Sequence, residues 1–412
     1  MTIATGIAKR VTYKKEVTMG LIPAATAPLG QSIRRLSSNL DLKKATYKSN
    51  EIRTDYQISD FRHGVRSVDG TLAGELSVGT YGDFIATACR QLWQTLITTG
   101  PIALLSSTLT TALVGTITTT GTSFLTLGFK VGDVVRTTGW TTTATNLNSR
   151  NMWITALTAT VMTVQFIDGN TALPFQTKVA GDTVTLVQAG KKTWVPVSGQ
   201  TNESYSIEHW FSDIGQSEVF SGCRIKDLSV KLPATGFCTI DISMMGLNML
   251  AAQSQYFTTP LAPNTGGTLA SVNGALYMNG AQVGLITSMD VKIDAGMTSG
   301  GVVGQNIQPD IFAGNVDVSG SLTVYFQDAI LRDLFVNETE CALMAVFTTN
   351  NTANADFLSI VMPRIKVGGA SKDDGEKGLT MTMPYQALIN INGGAGIATN
   401  NTTIGFQDST VP

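Results

Sequence analysis

Charge is what this 412-residue chain has least of: Asp, Glu, Lys and Arg together make up 14%, against roughly 25% in an average soluble protein. Only two histidines occur, His63 and His209, so a His-rich metal centre is excluded. The four cysteines, Cys89, Cys223, Cys238 and Cys341, stand in no C-x-x-C or other ligand spacing. That argues against a Cys-based metal site and leaves them as reduced, buried small hydrophobes. No apolar run reaches the 18 or so residues a membrane-spanning helix needs. The start, MTIATGIAKR, lacks the basic-then-apolar order of a signal peptide, so a cytoplasm-like compartment is expected.

Catalytic signatures are missing as well. The Gly-rich stretch around Gly301 and Gly304 is followed by no Lys-Ser/Thr pair and fits no strand–turn–helix phosphate loop. No G-x-S-x-G nucleophile elbow occurs. His63 in DFRHG and His209 in EHWF are isolated, and each reads as a structural hydrogen-bonder beside Asp60 or Glu208. Asp60, Asp69, Glu75 and Asp83 are close in sequence, but turn or surface roles suit them better than acid–base chemistry. The SKDDGEK run at 371–377 lacks calcium-loop spacing. Trp93, Trp140, Trp153, Trp194 and Trp210 are not interleaved with basic residues, so they read as core or interface anchors and not as a base-stacking platform. No catalytic, cofactor-binding or metal-binding residue is assigned, and no enzyme activity is expected.

What the chain does have is 43% hydrophobic residues, 41 glycines and abundant Thr, Ser and Asn. Such a composition suits a β-rich particle whose surfaces are covered by neighbours; a β-rich monomer with a bland surface is the plainer alternative. The length implies two or three domains. Charge is unevenly placed. Residues 9–66 hold 12 Lys/Arg against 5 Asp/Glu, and the remainder 16 against 25. This asymmetry fits a basic arm, or one end of a subunit docking on the oppositely charged end of the next.

The strongest pattern is written twice. SVDGTLAGELSVGTYGDF at 67–84 and VDVSGSLTVYFQDAILRDL at 316–334 each give an alternating strand with a glycine in it (Gly70, Gly320). An acidic turn residue (Asp83, Asp328) and a helical start follow. GCRIKDLSVKLPATGFCTIDISMMG at 222–246 is echoed by GLITSMDVKIDAG at 284–296. Units recurring far apart point to an internal duplication, and duplicated units stack on copies of themselves. The expected class is mainly β, with two β-sandwich or half-barrel folds, each with a flanking α-helix, plus an inserted small β domain. The division is an extended N-terminal arm at 1–30, a first fold at 31–110 and 191–250, and an inserted Thr-rich domain at 111–190. A linker at 251–269 and a second fold at 270–412 complete it. Asp83 is expected to cap a helix over FIATACRQLWQTLI, FLTLGFKVGDVVRTTGW to supply strands, Asn279-Gly280 to turn a hairpin, and the tail from Gly393 to fray unless a neighbour holds it.

The stretch KSNEIRTDYQISDFRHGVRSVDGTLAGELSVGTYGDFIATACRQLW, residues 48–93, resembles the tail tube (major tail) proteins of long-tailed bacteriophages. GCRIKDLSVKL and TIDISMMG are similar to a later part of that family, and the inserted region to small β domains that decorate phage tails. The resemblance implies subunits that form rings, stacked into a hollow tube in the virion tail and assembled in the host cytoplasm. Its lumen would hold a tape-measure protein and then DNA in transit, bound weakly and without specificity. Tail terminator and tip proteins would be further partners. Inner sheets would join edge to edge into one barrel. A chain with two such folds supplies two of six positions, hence a trimeric ring with pseudo-sixfold symmetry; six chains is the alternative if the second half folds otherwise. Arg53, Asp55, Arg62 and Arg66, in the long 48–66 loop, are candidate contacts to the next ring, unless that loop only covers its own sandwich. Thr239, Asp241, Ser243, Asp317, Ser319 and Ser321 are candidate lumen-lining residues, and the inserted domain should project outward. The competing readings are a trimeric virion surface or receptor-binding β protein, and a polysaccharide hydrolase, which should show tandem β-helix repeats and clustered carboxylates.

Overall fold

Alternation decides the architecture. In Thr239–Gly246 every second residue, Ile240, Ile242, Met244 and Gly246, is buried, and the others face outward, as a period of two on a pleated strand requires. The computed structural model describes residues 3–24, 29–102, 105–283, 286–327, 330–374, 376 and 378–411. Strands hold 46% of the chain and helices 6%, with the main sheet curled into a half-barrel.

The duplication is visible in strand order. In the first half, Asp41–Lys48, Phe61–Glu75, Thr239–Gly246, Gln216–Pro233 and Tyr205–Phe211 lie side by side, each antiparallel to the next. In the second half, Ile286–Asp294, Asp317–Tyr325, Thr380–Ala387, Phe357–Val367 and Cys341–Thr348 repeat the arrangement. A short helix follows the second strand of each set, Gly82–Ala88 and Ile330–Val336. Laying Gly70 on Gly320 brings buried Val68 onto Val318 and Leu72 onto Leu322. The second sequence echo is corrected by this alignment. Ile286–Asp294 takes the place of the segment around Asp41, and 222–246 corresponds to Phe357–Val367 and Thr380–Ala387. The two halves then merge, because Asp227–Pro233 pairs with Ser288–Asp294 in one continuous sheet.

A separate seven-stranded sheet runs in the order Thr98–Ile102, Val184–Gln188, Val134–Thr138, Met152–Leu157, Val161–Phe166, Val114–Thr118, Ser106–Leu109. It has its own core around Phe124, Phe129, Trp140, Phe166 and Phe175. Val134, Trp153 and Ala189 pack on Tyr277, Met344, Val346 and Phe357 of the second half, with the Trp153 and Tyr277 rings 4.1 Å apart. The Gln407 amide donates to the Val134 and Ala189 carbonyls and accepts from the Val134 N–H, all at 2.8 Å. A buried Lys192–Asp133 ion pair at 3.0 Å completes the seam. In the first half the matching face of Tyr205–Phe211 is covered by the linker. Glu208 accepts from Ser217 Oγ and from the backbone N–H groups of Tyr256 and Phe257. Beside it, buried Glu16 accepts from the hydroxyls of Ser204 and Ser206 and the N–H groups of Gly20 and Gly222. It anchors the N-terminal strand Lys9–Lys15, which pairs with Tyr205–Phe211.

Several local expectations are overturned. The helix after Gly82 ends at Ala88 and does not reach Ile97. Arg90 turns into a left-handed conformation (φ 55°), and its guanidinium is held by the carbonyls of Ala295 (2.6 Å) and Gly314 (2.8 Å). Asp83 is not the cap; it sits in the first turn and accepts from the Tyr13 hydroxyl at 2.8 Å. Phe124–Leu127 is a helical turn, because Ser123 caps its start and left-handed Gly128 ends it. Far from fraying, Gly405–Asp408 is a strand between Lys191–Trp194 and Leu358–Val361. Asn279-Gly280 does turn a two-residue hairpin, with both φ angles positive. Asp328 lies outside the described residues.

Candidate assembly surface

The merged sheet has one apolar and one polar face. Ile240, Ile242, Leu228, Val230, Val291, Ile293, Val318 and Leu322 enter the main core. On the other face, cross-strand partners form rows that run through both halves. One is Glu75, Thr239, Lys231, Asp290, Ser321, Pro384; the next is Ala73, Asp241, Ser229, Lys292, Ser319, Gln386; a third is Thr71, Ser243, Asp227, Asp294, Asp317. The structure thus brings Thr239, Asp241, Ser243, Asp317, Ser319 and Ser321 onto one face of one sheet. Their side chains are tied laterally: Lys231 Nζ to Asp241 at 2.8 Å, Ser243 Oγ to Asp227 at 3.0 Å, Ser321 Oγ to Asp290, and Gln386 Nε2 to Asp317. Carboxylates at Asp41, Asp69, Glu75, Asp227, Asp241, Asp290, Asp294 and Asp317 outnumber the lysines on this face, Lys43, Lys231, Lys292 and Lys366. The face is acidic.

The other candidate residues lie on a hairpin formed by Asp41–Lys48 and Phe61–Glu75, with Lys48 opposite Phe61. Arg53 and Asp55 sit near its tip and pair with each other (Nη2 to Oδ2, 2.8 Å). Arg53 holds the Asp55 carboxyl below the usual carboxylate range. Arg62 pairs with Asp60 at 2.7 Å. Arg66 is at the root, where its N–H donates to the Asn306 carbonyl (2.8 Å) and its guanidinium to Asn248 Oδ1 (3.3 Å). Sequence reasoning passed over the apolar residues between these charges: Ile52 is 103% exposed and Tyr56 98%, with Ile58 and, on the facing loop, Val303 also exposed. The signal was present in NEIRTDYQIS, where apolar residues alternate with charges in a segment that has no core to face.

Two edges of the main sheet are open. Among the described residues, no strand pairs with the outer side of Ser37–Lys48 or of 368–374; the latter pairs as a strand with Thr380–Ala387, through Ser371–Lys372. Near the first edge, His209 Nε2 lies 2.8 Å from Ser38 Oγ. Burial lowers the His209 pKa to about 3, and the positive charges of Lys9 and Arg35 add to the effect. Among the described residues no three His, Cys, Asp or Glu side chains cluster to hold a metal ion, and no helix is long and apolar enough to cross a membrane.

Residues 6–395 match the sequence model of a family described as phage tail tube protein. The chain belongs to the phage tail tube protein family. It is a structural component of a virion tail that assembles with copies of itself into a tube. No curated protein matches this tail tube protein in sequence. For a tail tube protein the open edges have a meaning: an unpaired strand edge is a liability in a free monomer and a joint in an assembly.

Proposed function

We propose that three chains close into a ring with pseudo-sixfold symmetry, and that rings stack into the tube through which DNA leaves the virion. The observation that carries this reading is the repeated strand order, joined edge to edge within one chain, which makes each molecule two consecutive positions of a sixfold ring. Each chain offers eight strand positions to the inner sheet, from the segment around Asp41 to Ser371–Lys372. Three chains then give a barrel of about 24 strands, roughly 40–50 Å across between backbones. The acidic face turns inward, with Thr239, Asp241, Ser243, Asp317, Ser319 and Ser321 in its lining. Fixed cations there would bind phosphates and hold the DNA; carboxylates let it slide.

In this reading the chain divides into an arm (1–30), a first tube fold (31–110 and 191–250), an outward-facing inserted domain (111–190), a linker (251–269) and a second tube fold (270–412). The hairpin tip reaches the neighbouring ring, with Arg53, Asp55, Arg62 and Arg66 around the apolar contacts. Assembly takes place in the host cytoplasm around a tape-measure protein, bounded by terminator and tip proteins. The role is structural and not catalytic. End-on electron micrographs of purified protein test it: discs or tubes with a central channel and three chains per disc are expected. Isolated trimers or fibres without a channel would overturn it in favour of a virion surface protein.

A further inference from the structure

The junction inside the chain is a template for the junction between chains. We propose that residues 369–374 of one molecule receive Ser38–Lys43 of the next as an antiparallel strand, repeating between molecules what Asp227–Pro233 and Ser288–Asp294 do within one. The proposal rests on the ring reading above and supplies its contact.

The register follows from the duplication. Ser371 lies opposite Thr382, which lies opposite Thr323, three residues beyond Gly320. Ser229 lies opposite Asp241, which lies opposite Ala73, three residues beyond Gly70. Ser371 therefore holds the place of Ser229. Likewise Asp41 lies opposite Asp69, one residue before Gly70, and Lys292 opposite Ser319, one residue before Gly320. Asp41 holds the place of Lys292. Since Ser229 pairs with Lys292 inside the chain, Ser371 pairs with Asp41 of the next molecule, and Gly369 with its Lys43.

Two further observations fit this occupant. Inside the chain, buried Leu228 meets buried Ile293 across the junction. Their counterparts at the open edges are Ala370 and Leu42, each half-covered and each already packed against the main core at its own end of the sheet. Joining the edges buries both and makes the apolar layer continuous from molecule to molecule. Backbone direction agrees too: the Asn39 and Asp373 N–H groups are spent on the Thr71 and Thr380 carbonyls of their own sheet. Alternation therefore turns the backbone groups of Leu40 and Leu42 outward at one edge and those of Ala370 and Lys372 outward at the other, and this register sets 42 opposite 370 and 40 opposite 372.

The test uses the full-length protein with Ser371→Cys and Asp41→Cys together. The four native cysteines are buried and do not compete. Under mild oxidation the pair should give covalent dimers and closed trimers on non-reducing gels, while Ser371→Cys with Lys43→Cys, two residues out of register, should cross-link at least several-fold less. Micrographs of the same samples separate the failures. Rings without the in-register cross-link would overturn the edge assignment and leave the ring standing. Absence of rings in the unmodified protein would overturn both. A ladder running to six would keep the edge and overturn the three-chain count. Lys372→Pro, which removes an N–H on the open side of the receiving strand, provides a second arm. With an unchanged melting temperature, it should raise the concentration needed for assembly several-fold, and unaltered assembly would count against the edge.

Discussion

At the scale of single residues, both halves use a strand glycine beneath a tyrosine ring. A Cβ on Gly74 would lie 1.8 Å from the Tyr81 hydroxyl, and one on Gly320 2.1 Å from the Asp290 carbonyl oxygen and 2.5 Å from the Tyr385 hydroxyl. Each hydroxyl donates to a backbone carbonyl, Tyr81 to Arg34 at 2.9 Å and Tyr385 to Asp290 at 2.8 Å. Gly320→Ala should therefore cost about 1–3 kcal/mol in urea unfolding, as forced overpacking does. Gly300→Ala, where nothing lies within 4 Å, should be close to neutral. His209 gives a pH dependence. Its folded pKa of about 3 lies below the ordinary value of about 6.5. Between those values the unfolded chain takes up a proton that the native state refuses. Stability should fall as the pH drops through this window, by up to about 1.4 kcal/mol per unit from this group. Urea midpoints from pH 7 to pH 4 should fall less steeply in His209→Gln than in the parent protein.

At the scale of elements, the inserted domain is fixed by a buried charged pair, Asp133 with Lys192 of the strand beside Gly405–Asp408. Lys192→Met strands Asp133 without its cation and should destabilise by about 3–5 kcal/mol; adding Asp133→Leu should recover much of the loss, because the uncompensated charge goes with it. Thermal melts of the two variants check this. Elements were legible where a local rule suffices: the alternation in Thr239–Gly246, the glycine strands of both copies and the Asn279-Gly280 turn. They were illegible where a distant partner decides. Gly405–Asp408 is four residues long, and its Gln407 is satisfied 273 residues away in sequence. The helix after Gly82 stops because Arg90 is pulled to carbonyls more than 200 residues further on. Phe124–Leu127 alternates no worse than a strand, and only the Ser123 and Gly128 caps mark it as helical.

At the scale of the whole molecule, the polar rows were half visible. Alternation picked out Thr239, Asp241 and Ser243 in one half and Asp317, Ser319 and Ser321 in the other, but which strands lie between them is a matter of topology. The hairpin was visible through its charges, whereas its exposed apolar tip is legible only in the fold, where none of the described residues covers it. Replacing Ile52 and Tyr56 with serine should leave rings intact and shorten or abolish tubes, because these side chains have no folding role to lose. Tube-length distributions in micrographs measure the effect, and unchanged lengths would assign the tip elsewhere. The proposed acidic bore also predicts that assembled tubes retain duplex DNA poorly even at low ionic strength, which a filter-binding assay across a salt series would check.

The two copies have diverged on their flanks. One carries a folded domain locked in place by Gln407 and Lys192, and the other only a strip of linker pinned by Glu208. In the proposed three-chain ring the particle is nearly hexagonal to whatever travels down its axis but triangular to whatever touches its exterior. Peptides spliced into the exposed turn around Gly169 would be displayed in three columns along the tail, with three bare furrows between them.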